Sequence, residues 1–189
     1  VFYQDYNCNN SGQHTAKVLS RGTHALKFEF GNDTEYAFNL AGICGGSTAC
    51  ACGDAFVENR TILVSDPVAI GNCAANGLDI NQSGVQLDCA GLTIDGSGSG
   101  IGVNFSRDVN RSTVLNCAIT DFDAGVHLEY NATMNYIRLS NISSNDIVGI
   151  NISYEANHTN TSRNYVFRNG LATTGVGIYM TGYNYTSEY

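Results

Sequence analysis

The chain has 189 residues, with nine lysines and arginines against 17 aspartates and glutamates, and a formal net charge of −8. This length fits one domain with a small appendage, and an acidic chain without a basic stripe is not expected to bind nucleic acid. Glycine is frequent, proline occurs once, and no apolar run reaches about 18 residues, so neither a helical bundle nor a membrane span is expected.

Residues 1–53 are predicted to form an N-terminal extension. Two alternating segments, Leu26–Phe30 and Tyr36–Leu40, flank a turn at Gly31–Thr34, a pattern typical of a β-hairpin. Residues 43–53 are rich in cysteine and small residues, and they are interpreted as a joint into a second part at 54–189. No basic-then-apolar leader precedes the extension, so any export signal is expected to have been removed.

From residue 77 onward the chain repeats a phrase of glycine, an apolar residue, any residue and a second apolar residue. The phrase begins at Gly77, Gly100, Gly125, Gly149 and Gly175. Alternating apolar residues are typical of short strands. A unit of roughly 24 residues cannot bury its own apolar face, but stacked units can.

The repeat therefore predicts coils stacked at the strand spacing of about 4.8 Å. Two inward columns of apolar side chains are expected. The first contains Ile101, Val126, Ile150 and Val176, and the second contains Val103, Leu128, Ile152 and Ile178.

The stretch from Cys52-Gly53-Asp54 to Leu87-Asp88-Cys89-Ala90-Gly91 resembles right-handed parallel β-helix proteins of the pectate-lyase-like, NosD-like kind. It is most similar to secreted and cell-surface members from archaea and some bacteria. The resemblance covers about 52–180 and implies an all-β fold: a short right-handed parallel β-helix of about five coils with an N-terminal β-hairpin extension. Such proteins include sugar lyases, epimerases, metal-delivery proteins, adhesins and surface-layer components, so the resemblance implies an architecture more than an activity.

Asparagine-linked glycosylation is predicted from the number of acceptor sequences. Twelve asparagines stand two places before serine or threonine, whereas the composition alone would give roughly 3.5. These twelve are Asn9, Asn32, Asn59, Asn81, Asn104, Asn110, Asn131, Asn141, Asn151, Asn157, Asn160 and Asn184. Covalent N-glycans and an extracellular or cell-surface location are therefore expected.

The seven cysteines also favour an oxidising compartment, and their odd number leaves one thiol free or bonded to another chain. Disulfides are favoured over a zinc site, because Cys44, Cys50 and Cys52 form one cluster with no second pair. The expected disulfides join Cys73 to Cys89 and Cys8 to Cys44. No metal or cofactor is expected.

Catalysis is not expected either. Asp121 and Asp123 flank Phe122 and could in principle act as an acid pair, but they are interpreted as a polar turn between coils. A carbohydrate-binding or lyase-like module is the alternative function.

The ends of the chain are unusually aromatic, and the end of a stack of coils exposes unpaired backbone. These termini either cap the ends of their own chain or dock on the next copy; the second interpretation predicts a homopolymer. The residues assigned to assembly are Val1, Phe2, Tyr3, Tyr179, Tyr183, Tyr185 and Tyr189. The sequence thus predicts a structural subunit of an extracellular filament or surface layer, heavily glycosylated and assembled head to tail.

Overall fold

The structure is a computed structural model that describes residues 22–30, 32–40, 42–62, 70–170 and 175–181, the first two ranges by their backbone only. These residues form strands and no helix. In chain order the strands are β1 (Gly22–Phe30), β2 (Asn32–Leu40), β3 (Ile43–Cys44), β4 (Asp54–Phe56), β5 (Arg60–Thr61), β6 (Leu78–Ile80), β7 (Gln86–Asp88), β8 (Thr93–Asp95), β9 (Ile101–Phe105), β10 (Thr113–Leu115), β11 (Ala118–Thr120), β12 (Ala124–Leu128), β13 (Tyr136–Arg138), β14 (Asn141–Ser143), β15 (Val148–Ile152), β16 (Asn160–Ser162), β17 (Tyr165–Phe167) and β18 (Val176–Met180).

Three parallel sheets form a β-solenoid of about five turns, which confirms the predicted architecture. The seven-stranded sheet has the order β3-β4-β6-β9-β12-β15-β18, the five-stranded sheet β5-β7-β10-β13-β16, and the four-stranded sheet β8-β11-β14-β17. From β6 to β17 each coil contributes one strand to each sheet in turn, whereas β3 and β4 both belong to the seven-stranded sheet. We name the connections by this order: the first turn follows the seven-stranded sheet, the second follows the five-stranded sheet, and the third follows the four-stranded sheet.

The predicted hairpin is present, with different bounds. Strands β1 and β2 pair antiparallel from Gly22 opposite Leu40 to Phe30 opposite Asn32. Asn32–Thr34, expected in the turn, therefore belongs to β2.

The core is built from apolar columns, but the predicted register is wrong in two coils. Val126 pairs with Val103 rather than with Ile101, and Leu128 pairs with Phe105 rather than with Val103. The same two-residue shift occurs in the last coil, where Ile178 pairs with Ile150. In both coils two glycines alternate with apolar residues, so the sequence phrase fits equally well in either register.

Glycine recurs because neighbouring coils approach closely at the second residue of the strands in the seven-stranded sheet. A Cβ added at Gly125 would lie 2.7 Å from the carbonyl oxygen of Gly149 and 2.5 Å from Cγ2 of Ile142. A Cβ at Gly102 would likewise lie 2.6 Å from the carbonyl oxygen of Gly125. Only glycine leaves room for the next coil here, so Gly102, rather than Gly100, is the repeating residue of its coil.

Single residues with a left-handed backbone turn the chain at the corners of the coils. Their φ angles lie between 51° and 65°, and they recur at equivalent places in successive coils. The first turn has Asp108, Asn131 and Glu155; the second has Asn116, Leu139 and Arg163; the third has Asp121, Ser144 and Arg168. In the first turn a second left-handed residue follows three positions later, and it is Arg111, Met134 and His158 in successive coils. Such residues change the direction of the chain without a longer loop.

Buried asparagines join coil to coil at these corners. Fully buried Asn145 accepts a hydrogen bond from the backbone N–H of Phe122 at 3.1 Å. Its Nδ2 donates to Oδ1 of Asn169 at 2.8 Å, one coil further along. Asn135 and Asn164 bridge adjacent coils in the same way, so backbone groups at the corners have partners.

Candidate functional surfaces

Five of the twelve predicted glycan acceptors lie along one edge of the solenoid, formed by the stacked first turns. We call it the first-turn edge; it comprises residues 57–59, 81–85, 106–112, 129–135 and 153–159. Its acceptors are Asn59, Asn81, Asn110, Asn131 and Asn157, of which Asn110 is half-buried and the other four are exposed.

The remaining acceptors lie elsewhere. Asn141 and Asn160 are exposed at the first positions of β14 and β16. Asn104 and Asn151 lie on the outer face of the seven-stranded sheet. Asn32 is described by its backbone alone, and Asn9 and Asn184 lie outside the described residues.

Asn104 differs from the other acceptors because it is 5 % exposed. Its Nδ2 donates a hydrogen bond to Oε1 of Glu129 at 2.7 Å, and the second carboxylate oxygen of Glu129 accepts one from the backbone N–H of Arg107 at 3.0 Å. Its amide oxygen is buried without a hydrogen-bond partner. The amide is thus enclosed by its neighbours in the folded chain.

A row of polar side chains crosses the outer face of the seven-stranded sheet. Asp79, Asn104, His127 and Asn151 stand at paired positions of β6, β9, β12 and β15. Sequence reasoning missed Asp79 and His127 as members of this row. Both residues occupy the variable third position of the glycine phrase. This position lies between two residues that face inward, so its side chain is expected to point outward.

Burial changes the acidity of two members of the row. It raises the pKa of Asp79; hydrogen bonds with Asn104 and Asn76 partly oppose this effect, and nearby Glu129 adds to it. Burial lowers the pKa of His127 below 6.5, against the attraction of Glu129. His127 Nε2 lies 2.8 Å from Oγ of Ser153. Asp79 also lines an open hollow of about 460 Å³ beside Cys52 and Asn76.

Two exposed tyrosines stack beside this row on the first-turn edge. The ring centroids of Tyr130 and Tyr154 are 6.1 Å apart, with 25° between the ring planes. The guanidinium carbon of Arg107, one coil earlier, lies 4.8 Å from the centre of the Tyr130 ring. A hydrogen bond with Glu155 raises the pKa of Tyr130.

The C-terminal coil, comprising β16, β17 and β18, carries a cluster of exposed large apolar side chains. They are Tyr165 (75 % exposed), Phe167 (46 %), Val176 (36 %), Ile178 (45 %), Tyr179 (50 %) and Met180 (50 %). In the described part of the chain, no strand pairs with the outer edge of β18. Of the residues predicted to take part in assembly, Tyr179 is exposed here. The others lie outside the described residues, and they are Val1, Phe2, Tyr3, Tyr183, Tyr185 and Tyr189.

The predicted disulfide pairing is wrong. The bonds join Cys44 to Cys50, Cys52 to Cys73, and Cys89 to Cys117. Cys73 and Cys89 were expected to pair, but they lie on different sides of the solenoid: Cys73 is bridged to Gly96 near the third turn, whereas Cys89 follows β7.

Separations near one whole coil bring cysteines together instead. The Cα atoms of Cys89 and Cys117, 28 residues apart, are 4.7 Å from each other, and those of Cys52 and Cys73, 21 apart, are at 5.5 Å. Cys44 pairs within its own loop rather than with Cys8, which lies outside the described residues. Three disulfides are typical of a protein that folds in an oxidising, extracytoplasmic compartment.

Asp121 and Asp123 lie in a third turn. Asp121 has a left-handed backbone, and Oδ2 of Asp123 accepts a hydrogen bond from the backbone N–H of Gly100 at 3.1 Å. Across the described ranges, no group of three histidine, cysteine or carboxylate side chains is placed to hold a metal ion. Those same ranges contain no helix long and apolar enough to cross a membrane.

Comparison of the chain with protein-family models, with curated proteins and with solved structures gave no match. The strand topology supports the predicted resemblance at the level of architecture, as a parallel β-solenoid.

Proposed function

We propose that this protein is a structural subunit of an extracellular filament or surface layer, N-glycosylated, and assembled head to tail from copies of itself. The observation that carries the proposal is the exposed apolar cluster of the C-terminal coil. Large apolar patches on a protein surface mark sites of association. The proposal includes no catalysis, metal or cofactor.

The exposed side chains of β18 continue columns that are buried elsewhere. Ile150 is fully buried, but its partner in β18, Ile178, is 45 % exposed; Ile152 is 4 % exposed, and its partner Met180 is 50 % exposed. In the interior, the next coil covers each of these positions. The occupant is a second copy of the chain, because a stacked parallel coil would cover both the apolar columns and the unpaired edge of β18.

The charge along the solenoid axis supports a head-to-tail arrangement. Residues 42–62 and 70–100 contain five carboxylates and one arginine, whereas the described residues from 148 to 181 contain two arginines, Arg163 and Arg168, and one carboxylate, Glu155. Among the described residues, the N-terminal coils are thus acidic and the C-terminal coil is weakly basic. Contact between unlike ends is favoured over contact between like ends.

The extracellular location and the glycans rest on separate features. The three disulfides and the excess of acceptor sequences support them, as does the resemblance to cell-surface β-helix proteins of archaea and bacteria. Hydrated glycans along a flank would keep filaments apart on that side, while the ends stay free to associate.

A pair of matched variants tests the proposal by light scattering after size-exclusion chromatography. Wild-type protein is expected to form a concentration-dependent series of oligomers, and Ile178→Lys is expected to be monomeric because it places a charge in the contact. Ile147→Lys is the control: Ile147 is 48 % exposed in a third turn, outside the apolar columns that β18 continues. A monomeric wild type, or equal association of both variants, would contradict the proposal.

The second candidate is a carbohydrate-binding module. The stacked Tyr130 and Tyr154, together with the polar row on the neighbouring sheet face, favour it, because aromatic rings combined with hydrogen-bonding groups suit polyhydroxylated ligands. Binding of soluble polysaccharides, measured by calorimetry, would be expected to fall at least tenfold in Tyr130→Ala. No binding to any of a panel of acidic and neutral polysaccharides would end this candidate.

A further inference from the structure

We propose that the N-glycans form a coat that is densest along the first-turn edge and absent from the third-turn edge, and that Asn104, although it has an acceptor sequence, is a structural amide that carries no glycan. This inference rests on the glycosylation included in the proposed function. It assigns which acceptors the folded protein uses.

N-glycosylation joins Nδ2 of asparagine to the anomeric carbon of a lipid-phosphate-linked oligosaccharide. The bond from that carbon to the phosphate oxygen breaks, the lipid phosphate leaves with the electron pair, and Nδ2 loses one proton. The product needs open space around Nδ2 for the first sugar residue.

Asn104 does not provide this space. Its side chain is 5 % exposed, and its Nδ2 lies 2.7 Å from Oε1 of Glu129. Asp79 and His127 occupy the paired positions of the neighbouring strands on either side. A sugar on Nδ2 would displace Glu129, which also accepts the backbone N–H of Arg107. A glycan at this position would therefore oppose the packing of this coil against the next one.

Four acceptor asparagines on the first-turn edge are exposed rather than enclosed by neighbouring side chains. Asn59, Asn81, Asn131 and Asn157 are exposed there. Asn59 and Asn81 accept hydrogen bonds through Oδ1, from the backbone N–H of Gln86 and from Ser106, which leaves Nδ2 available. Nδ2 of Asn131 donates one hydrogen bond to Asp108 at 2.8 Å and retains a second hydrogen for substitution.

The third-turn edge carries no acceptor among the described residues. It is formed by residues 96–100, 121–123, 144–147 and, where described, 168–170 with 175, and none of these contains an acceptor asparagine. The coat thus leaves one flank of the solenoid bare. In a filament or layer, that flank is where subunits can approach laterally.

Glycopeptide mass spectrometry of the full chain, secreted from a host that performs N-glycosylation, tests the inference. We expect glycans at Asn59, Asn81, Asn131 and Asn157 and none at Asn104. Two variants remove acceptor sequences without changing the asparagines. Thr133→Ala should lower the intact mass by one glycan, whereas Ser106→Ala should leave the number of glycans unchanged.

A glycan on Asn104 in folded, secreted protein, or a loss of glycan mass in Ser106→Ala, would overturn the inference. A chain without any glycan would overturn both the inference and the glycosylated part of the proposed function. End-to-end association is measured separately, so its failure would be distinguished from that of the glycan assignment.

Discussion

The corners of the solenoid depend on single residues held in a conformation that most side chains avoid. At the second turn this position is filled by Asn116, Leu139 and Arg163 in successive coils, with φ between 51° and 56°. Asparagine tolerates the left-handed region of the backbone, whereas this conformation is unfavourable by about 1–2 kcal/mol for leucine. Leu139 is also 52 % exposed, so packing does not offset this cost.

We predict that Leu139→Asn stabilises the protein by about 1 kcal/mol, which raises the melting temperature by roughly 2–4 °C for a chain of this size. The change copies the residue of the preceding coil and creates no acceptor sequence. Differential scanning calorimetry measures the shift. Leu139→Val, with a β-branched side chain at positive φ, is the matched comparison and should lower the melting temperature.

His127 makes stability depend on pH. Burial holds its pKa below 6.5 in the folded state, so the unfolded chain binds more protons as the pH falls. The free energy of unfolding should therefore decrease as the pH drops from about 7.5 through 6.5 toward the lower pKa of the folded state. Urea unfolding at a series of pH values measures this slope.

His127→Asn is the variant for this experiment, since Asn104 and Asn151 occupy the paired positions on both sides. It should remove part of the loss of stability between pH 7.5 and 5.5. Identical pH slopes in the variant and the wild type would show that His127 does not titrate as described.

Among the elements, the glycine column shows how closely the coils stack. We predict that Gly125→Ala lowers the free energy of unfolding by about 1–3 kcal/mol, because its Cβ would meet the backbone of the next coil. Gly177→Ala provides the control at the same position of the last coil, where the nearest atom would be Cγ1 of Val166 at 3.7 Å. Its effect should stay within about 0.5 kcal/mol; denaturant titration of monomeric protein would compare the two.

The sequence predicted the type of fold because strand alternation and a repeat near 24 residues leave few alternatives to stacked coils. It did not predict the register where Gly100 and Gly102, or Gly175 and Gly177, compete for one place in the phrase. The close approach of the next coil decides between them, and this contact is not local in sequence.

The disulfides and the polar row were missed for a similar reason. The bond between Cys89 and Cys117 and the position of Asp79 beside Asn104 can be predicted only when the number of residues in each coil is known. A difference of a few residues in a turn moves a side chain from one side of the solenoid to another. A repeat length averaged along the chain cannot supply that detail.

For the whole molecule, the two ends of the seven-stranded sheet differ. At the β3 end, Cys44 and Cys50 are buried and joined by a disulfide. At the β18 end, the apolar columns are exposed. This polarity favours growth in one direction, with each copy stacking on the last coil of the one before.

A steric consequence follows for the last glycine of the column. If a second copy stacks on β18 as a coil does in the interior, a Cβ at Gly177 would approach its backbone as closely as one at Gly125 approaches Gly149. Gly177→Ala should therefore weaken association at least tenfold while leaving the monomer folded. Sedimentation velocity measures the association; an unchanged oligomer distribution would exclude this mode of stacking.

Electron microscopy of the purified protein at rising concentration tests the end-to-end arrangement most directly. Head-to-tail stacking predicts unbranched filaments whose averaged power spectrum has a reflection near 4.8 Å along the filament axis, because every strand lies across that axis. Discrete particles at all concentrations, or filaments with this spacing across their axis, would contradict it.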